Sequence, residues 1–166
     1  MRAIYRPDRF LRGGDHESFL AQGFPAVRFT EPHENFAHQH QDVRVSNGVQ
    51  FGDLIEFVDF NFTARVAKVN GAALWSLAQA PGAPKNVKID TSVLTNNSTL
   101  SWTLDSKADA GYEVVWRETD EPQWSMVIPV GIVSSVTVNL SKDNVQMGVR
   151  AVGKNGFKSP AVLPMP

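Results

Sequence analysis

His38-Gln39-His40-Gln41-Asp42 is the stretch of this sequence best equipped for chemistry. A neutral imidazole on a polar loop is a good zinc ligand, and its second ring nitrogen needs an orienting partner. For His38 that partner would be Asp42 or a backbone carbonyl. If the loop runs extended, positions 38 and 40 point the same way and Gln39 points opposite, which makes His40 the competing ligand. Upstream, Asp15-His16-Glu17-Ser18-Phe19 supplies a second group of polar side chains. Asp15 has two readings of equal standing: the N-cap of a short helix, or a hydrogen-bond partner at the rim of a site, with His16 beside it. Glu31 and Glu34 read as solvated loop carboxylates. Standing alone, a His-x-His loop is more often a polar turn than a metal site.

The elements that must position these residues fall into two halves. The chain has 166 residues and changes character near Ala80-Pro81-Gly82-Ala83-Pro84, where Pro and Gly mark a linker. The expected division is 1–80, a linker at 81–84, and 84–166. All four histidines precede the linker, and three of the four tryptophans (Trp102, Trp116 and Trp124) follow it. In the first half, Phe24-Pro25-Ala26-Val27-Arg28-Phe29 reads as a short strand bounded by Gly23 and Glu31-Pro32. The histidine loop comes next. A long helix is expected from Asp53 to Gln79. Asp53 and Glu56 form its capping signal, and Leu54, Val58, Phe62, Val66, Val69, Ala73 and Leu77 form its apolar stripe. Such a helix would run about 40 Å. Gly71 weakens it by roughly 1 kcal/mol relative to Ala, or permits close packing there.

The second half alternates with period two. Leu100, Trp102 and Leu104 alternate with Ser101 and Thr103. Tyr112, Val114 and Trp116 alternate in the same way, as do Val145, Met147, Val149 and Ala151. About seven short strands separated by turn signals predict an all-β sandwich of two sheets.

Ser98-Thr99-Leu100-Ser101-Trp102-Thr103, Gly111-Tyr112-Glu113-Val114-Val115-Trp116-Arg117 and Gly148-Val149-Arg150-Ala151-Val152 resemble strands of a fibronectin type III domain. The resemblance covers roughly residues 84 to 164. That family's corner tyrosine would fall at Val145, so its corner hydrogen bond is expected to be absent. Trp102, Tyr112 and Trp116 are expected in the core. The alternative is an aromatic patch for carbohydrate or a protein partner, with Trp124 its best exposed candidate. By analogy alone, such a module acts as a spacer or surface binder.

Asp15-His16-Glu17-Ser18-Phe19, then Gly23-Phe24-Pro25-Ala26-Val27 and the His38-to-Asp42 motif, resemble the closing segment of bacterial zinc aminopeptidases of the aminopeptidase and glutaminyl cyclase superfamily. This covers about residues 8 to 80. The resemblance implies an α+β piece of an α/β zinc-peptidase domain: short strand, metal-ligand loop and final helix. It implies His38 as a zinc ligand, with His40 the alternative, and Asp15, His16 and Asp42 at the rim or behind the ligands. In that family an early His, a bridging Asp, a Glu-Glu pair and a further Asp lie upstream. This sequence has no Glu-Glu pair and no His before His16. A co-catalytic site needs several ligands and a carboxylate base. The expectation is therefore a C-terminal fragment of a metallopeptidase that hydrolyses peptide bonds when whole. Alone, it is expected to be inactive and to hold no zinc stably. The second reading is a non-enzymatic fibronectin-like binding module. The missing N-terminal catalytic portion, or self-association, would cover the fragment.

The remaining numbers exclude more than they assign. The net charge is −1, which gives nucleic-acid binding no support. There are no cysteines, so disulfide scaffolds and Cys-type zinc sites are excluded. The first residues lack the apolar core of a signal peptide, although the resembled parent is expected to be secreted or periplasmic. No stretch is long and apolar enough to span a bilayer.

Overall fold

The computed structural model describes residues 3–5 and 13–166. Residues 8–12 of the peptidase-like stretch lie outside the described residues, as does Met1. The chain divides into two compact units, 1–70 and 71–166.

In the first unit, a short helix α1 spans His16–Ala21, with Asp15 at its N-cap position. The Asp15 side chain makes no capping hydrogen bond. The strand expected at 24–29 does not form. A strand exists only through its ladder, and among the described residues nothing pairs with this segment. Phe24 and Val27 are accordingly 61% and 78% exposed. A hairpin appears instead, β1 (Arg44–Ser46) against β2 (Val49–Phe51). Asn47-Gly48 makes its turn, with φ of 51° and 76°. Positive φ at both central residues is the type I′ pattern that Asn-Gly favours, and it matches the twist of the flanking strands.

The long helix also starts later than expected. A single 3-10 turn occupies Ile55–Phe57, and α2 runs Phe60–Gln79, crossing the boundary between the units. Asp59 caps it: its carboxylate accepts the Phe62 N–H at 2.9 Å. Asp53 and Glu56 therefore lie before the helix, and its length is about 30 Å rather than 40. Val66, Val69, Asn70 and Ala73 are half-buried along one stripe, at the helical spacing expected. Phe60, Leu74, Trp75 and Leu77 are exposed. Open space surrounds Gly71, so no close packing explains it among the described residues.

The second unit is a sandwich of two antiparallel three-stranded sheets. One has the order β3 (Lys85–Ile89), β4 (Ser98–Thr103), β7 (Ser135–Val138). The other has the order β6 (Met126–Gly131), β5 (Gly111–Glu118), β8 (Val145–Val152). The C-terminal segment ties to both: Val162 pairs with Val149 of β8, and Met165 with Lys88 of β3. Leu100, Val114, Val149 and Ala151 are fully buried between the sheets. Trp102 and Tyr112 join them, ring centroids 5.3 Å apart. Pro129 sits in the outer strand β6, where a missing N–H costs no internal ladder bond.

The corner tyrosine is absent as expected, since Val145 stands in β8. A different tyrosine makes a comparable closure. The Tyr112 hydroxyl accepts the Asp105 N–H at 2.6 Å, fastening the loop between β4 and β5.

Glu113 is buried in the face of β5 and receives Arg150 at 2.7 Å and Lys158 at 2.8 Å. Burial pushes its carboxyl up. Hydrogen bonds from Lys158 and Arg150, with their charges, outweigh that effect and hold it below the ordinary glutamate range. A carboxylate depressed on folding stabilises the fold above its unfolded pKa, and the contribution is lost as pH falls through the folded value. Glu113→Gln is therefore expected to destabilise the sandwich at neutral pH. The gap from the unaltered protein should shrink on acidification to about pH 3. Urea midpoints at the two pH values check this; a gap that stays constant refutes it.

Candidate functional site

The histidine loop is built by local turns. The His38 N–H donates to the Asn35 carbonyl at 3.0 Å, and the Ala37 N–H to the Asn35 side-chain oxygen at 3.1 Å. Gly52, at the end of the hairpin, donates its N–H to the Ala37 carbonyl at 3.0 Å. This contact needs glycine. Its φ is +106°, and a Cβ there would stand 2.7 Å from the Val43 Cα. The hairpin thus anchors the loop that presents His38.

The His38 ring lies flat on Phe57, with centroids 3.6 Å apart and planes 3° from parallel. The 3-10 turn that displaces the start of the long helix is what brings Phe57 there. Asn35 Nδ2 stands 3.5 Å from His38 Nε2, at the outer limit of a hydrogen bond. Among the described residues the Asp42 carboxylate makes no hydrogen bond to His38, and its backbone carbonyl accepts from Arg44. His40 has φ of 53°, so the loop is not an extended strand and its side chains do not alternate as the extended reading required. His16 stands at the start of α1, half-buried, and Asp15 is exposed just before it.

These residues do not converge. Among the described residues no group of three or more His, Asp or Glu side chains is placed to hold a metal ion. The donor set of the described residues does not by itself fit a zinc ion. What the first unit presents is one oriented imidazole on an anchored loop. Sequence reasoning missed Phe57, Gly52 and the Asn47-Gly48 turn. The Asn-Gly pair was the available signal for the turn; nothing in the spacing marked Phe57 as a stacking partner.

In the strands of the sandwich the aromatic residues face inward. Trp102 and Tyr112 are buried and Trp116 is half-buried. Trp124 is half-buried too, its ring beside Gly148, with the Arg117 guanidinium 5.4 Å from its ring centroid. No helix among the described residues is long and apolar enough to cross a membrane.

The architecture pairs a β-sandwich with a unit that carries a single histidine loop. Among solved structures, the chain is similar to one titled "Myokine structure", with 23% identity over 52% of this chain and all of that one, at a TM-score of 0.37. It is also similar to an Fn3-like protein from Clostridium thermocellum, with 23% identity over 49% of this chain and 85% of that one, at a TM-score of 0.38. No family model matches. Among curated proteins, it is 64% identical over 98% of its length to a "Probable zinc metalloprotease" of Pyrenophora teres f. teres. It is 58% identical, again over 98%, to one so named in Pyricularia oryzae. The relatives are fungal, whereas the resemblance read from the sequence was to bacterial proteins. The chain spans about a third of the length of these relatives, 34% of each.

Proposed function

We propose that this chain is the C-terminal part of a secreted zinc aminopeptidase, in which residues 13–70 form one wall of the active site and the sandwich is an appended module. The observation that carries this reading is the burial of the first unit. Among its described residues only Gly52 is buried, while Phe24, Val27, Phe36, Ile55 and Phe60 are each more than 60% exposed. A folded unit normally closes over its own apolar side chains. This one has none enclosed, as a wall has without its body. The remaining two thirds of the parent would supply the body and the other metal ligands. His38 would be the ligand from this chain, and Asp15, His16 and Asp42 would lie around it. The same apolar residues make the rest of the parent the natural partner, and self-association the outcome without it.

The test is a chimera. Residues 1–166 replace the matching third of the Pyrenophora teres relative, with the unaltered relative run alongside. Chelator-sensitive hydrolysis of an aminoacyl chromogenic amide is expected from the chimera and the relative, and none from the 166-residue chain. Robust hydrolysis by the isolated chain, or a folded chimera that is inert while the relative works, overturns the proposal.

A further inference from the structure

We infer that the sandwich carries N-linked glycans at Asn97 and Asn139, gathered at one end of the β3-β4-β7 sheet; this rests on the secretory route in the reading above. Asn97-Ser98-Thr99 and Asn139-Leu140-Ser141 both have the acceptor pattern Asn-x-Ser/Thr. Both asparagines are exposed. Their positions are coupled. Ser98 of β4 pairs with Val138 of β7, so Asn97 and Asn139 are the next residues along that ladder. Thr99 and Thr137 bond to each other at 2.8 Å, and the Ser98 hydroxyl donates to the Leu140 carbonyl at 2.7 Å. The two acceptor segments are thus stitched side by side.

That end of the sheet is the one remote from the linker. β4 finishes at Thr103, which pairs with Lys85, the first residue after the linker. Six strand residues separate the ends, about 20 Å. Glycans there leave the strand ends beside the linker unobstructed, and they screen the Ser/Thr-rich row Thr99, Ser101, Ser135 and Thr137.

The acceptor hydroxyls also differ in when they become engaged. The Thr99 hydroxyl of the Asn97 site is bonded across 38 residues, a contact that forms only when the sandwich closes; the Ser141 hydroxyl of the Asn139 site accepts the Asp143 N–H at 3.4 Å, the outer limit of a hydrogen bond. A third pattern, Asn61-Phe62-Thr63, lies in the first turn of α2. There the Phe62 N–H and the Thr63 hydroxyl are committed to Asp59, within four residues. Local contacts of this kind form early, which leaves Asn61 unmodified. Asn96-Asn97-Ser98 overlaps the first site, and one glycan there leaves no room for a second on the adjacent asparagine. The modification joins the asparagine Nδ2 to the anomeric carbon of a polyprenyl-diphosphate oligosaccharide. The C–N bond forms, the bond from that carbon to the phosphate oxygen breaks, the amide loses one proton, and the lipid diphosphate leaves.

The full chain, fused behind a cleavable secretion leader, is translated with endoplasmic-reticulum microsomes, and protease protection verifies lumenal entry. Two endoglycosidase-sensitive mass steps are expected in the protected chain. Asn97→Gln removes one and Asn139→Gln the other, while Asn96→Gln and Asn61→Gln leave both. A protected chain without these steps, or steps lost only with Asn61→Gln or Asn96→Gln, overturns the inference. The peptidase proposal is untouched by that outcome, since the chimera assay reads hydrolysis and this one reads mass.

Discussion

Trp102→Ala lowers the unfolding free energy of the sandwich by about 3–5 kcal/mol, the usual range for emptying a buried Trp site. Trp102 is 5% exposed and packs against Tyr112, whose hydroxyl holds the β4–β5 loop. Removing the indole leaves a cavity beside that loop as well as losing transfer free energy. A domain of this size is stable by only about 5–15 kcal/mol, so the variant retains a marginal fold or none. Trp102→Phe is expected to cost much less. Trp102 Nε1 is buried with no hydrogen-bond partner among the described residues, and an unsatisfied buried donor costs about 1–3 kcal/mol. Phe removes that donor while keeping a ring against Tyr112. Urea unfolding of the full chain, followed by far-UV circular dichroism, separates the two variants. An Ala variant that loses less than about 1 kcal/mol, below any large-to-small core change of this kind, would show that Trp102 does not anchor the core.

The sandwich was legible in the sequence because each of its strands finds its partner within the chain. Leu100 and Trp102 alternate against Val114 and Val149 in the sequence and meet them in the core. Period two, bounded by turns, carried that information. The first unit was legible only in part. Val66, Val69 and Ala73 form the stripe expected of α2, but the helix begins at Phe60, where the Asp59 carboxylate caps it by accepting the Phe62 N–H. The Asp53 signal is instead followed by a single 3-10 turn. The segment 24–29 has strand composition without a strand, since composition supplies side chains and a ladder needs a neighbour. In the candidate site, the spacing of 38 to 42 drew attention to His38. Its stacking on Phe57 depends on backbone turns at both residues, which pattern reading does not resolve.

His38→Ala in the chimera is expected to reduce hydrolysis by more than about 100-fold. Losing a partner behind a metal ligand already costs 10–100-fold in affinity or activity, and His38 is proposed as the ligand itself. Phe57→Ala is expected to fall within that 10–100-fold band. The face-to-face contact at 3.6 Å fixes the plane of the imidazole, and the long contact to Asn35 cannot replace it. Phe57→Tyr keeps the ring and should restore most of the activity. His40→Ala is the discriminating variant, since its left-handed backbone takes it out of the extended His-x-His arrangement in which both imidazoles face one way. Zinc content by metal analysis, measured beside the rate, distinguishes ligation from folding. His38→Ala should lose metal, while circular dichroism of the purified chimera stays unchanged. If His40→Ala loses both metal and rate while His38→Ala keeps them, the roles of the two histidines are reversed. If neither variant changes the metal content, the histidine loop is not part of the metal site, and the oriented imidazole of the first unit serves another purpose.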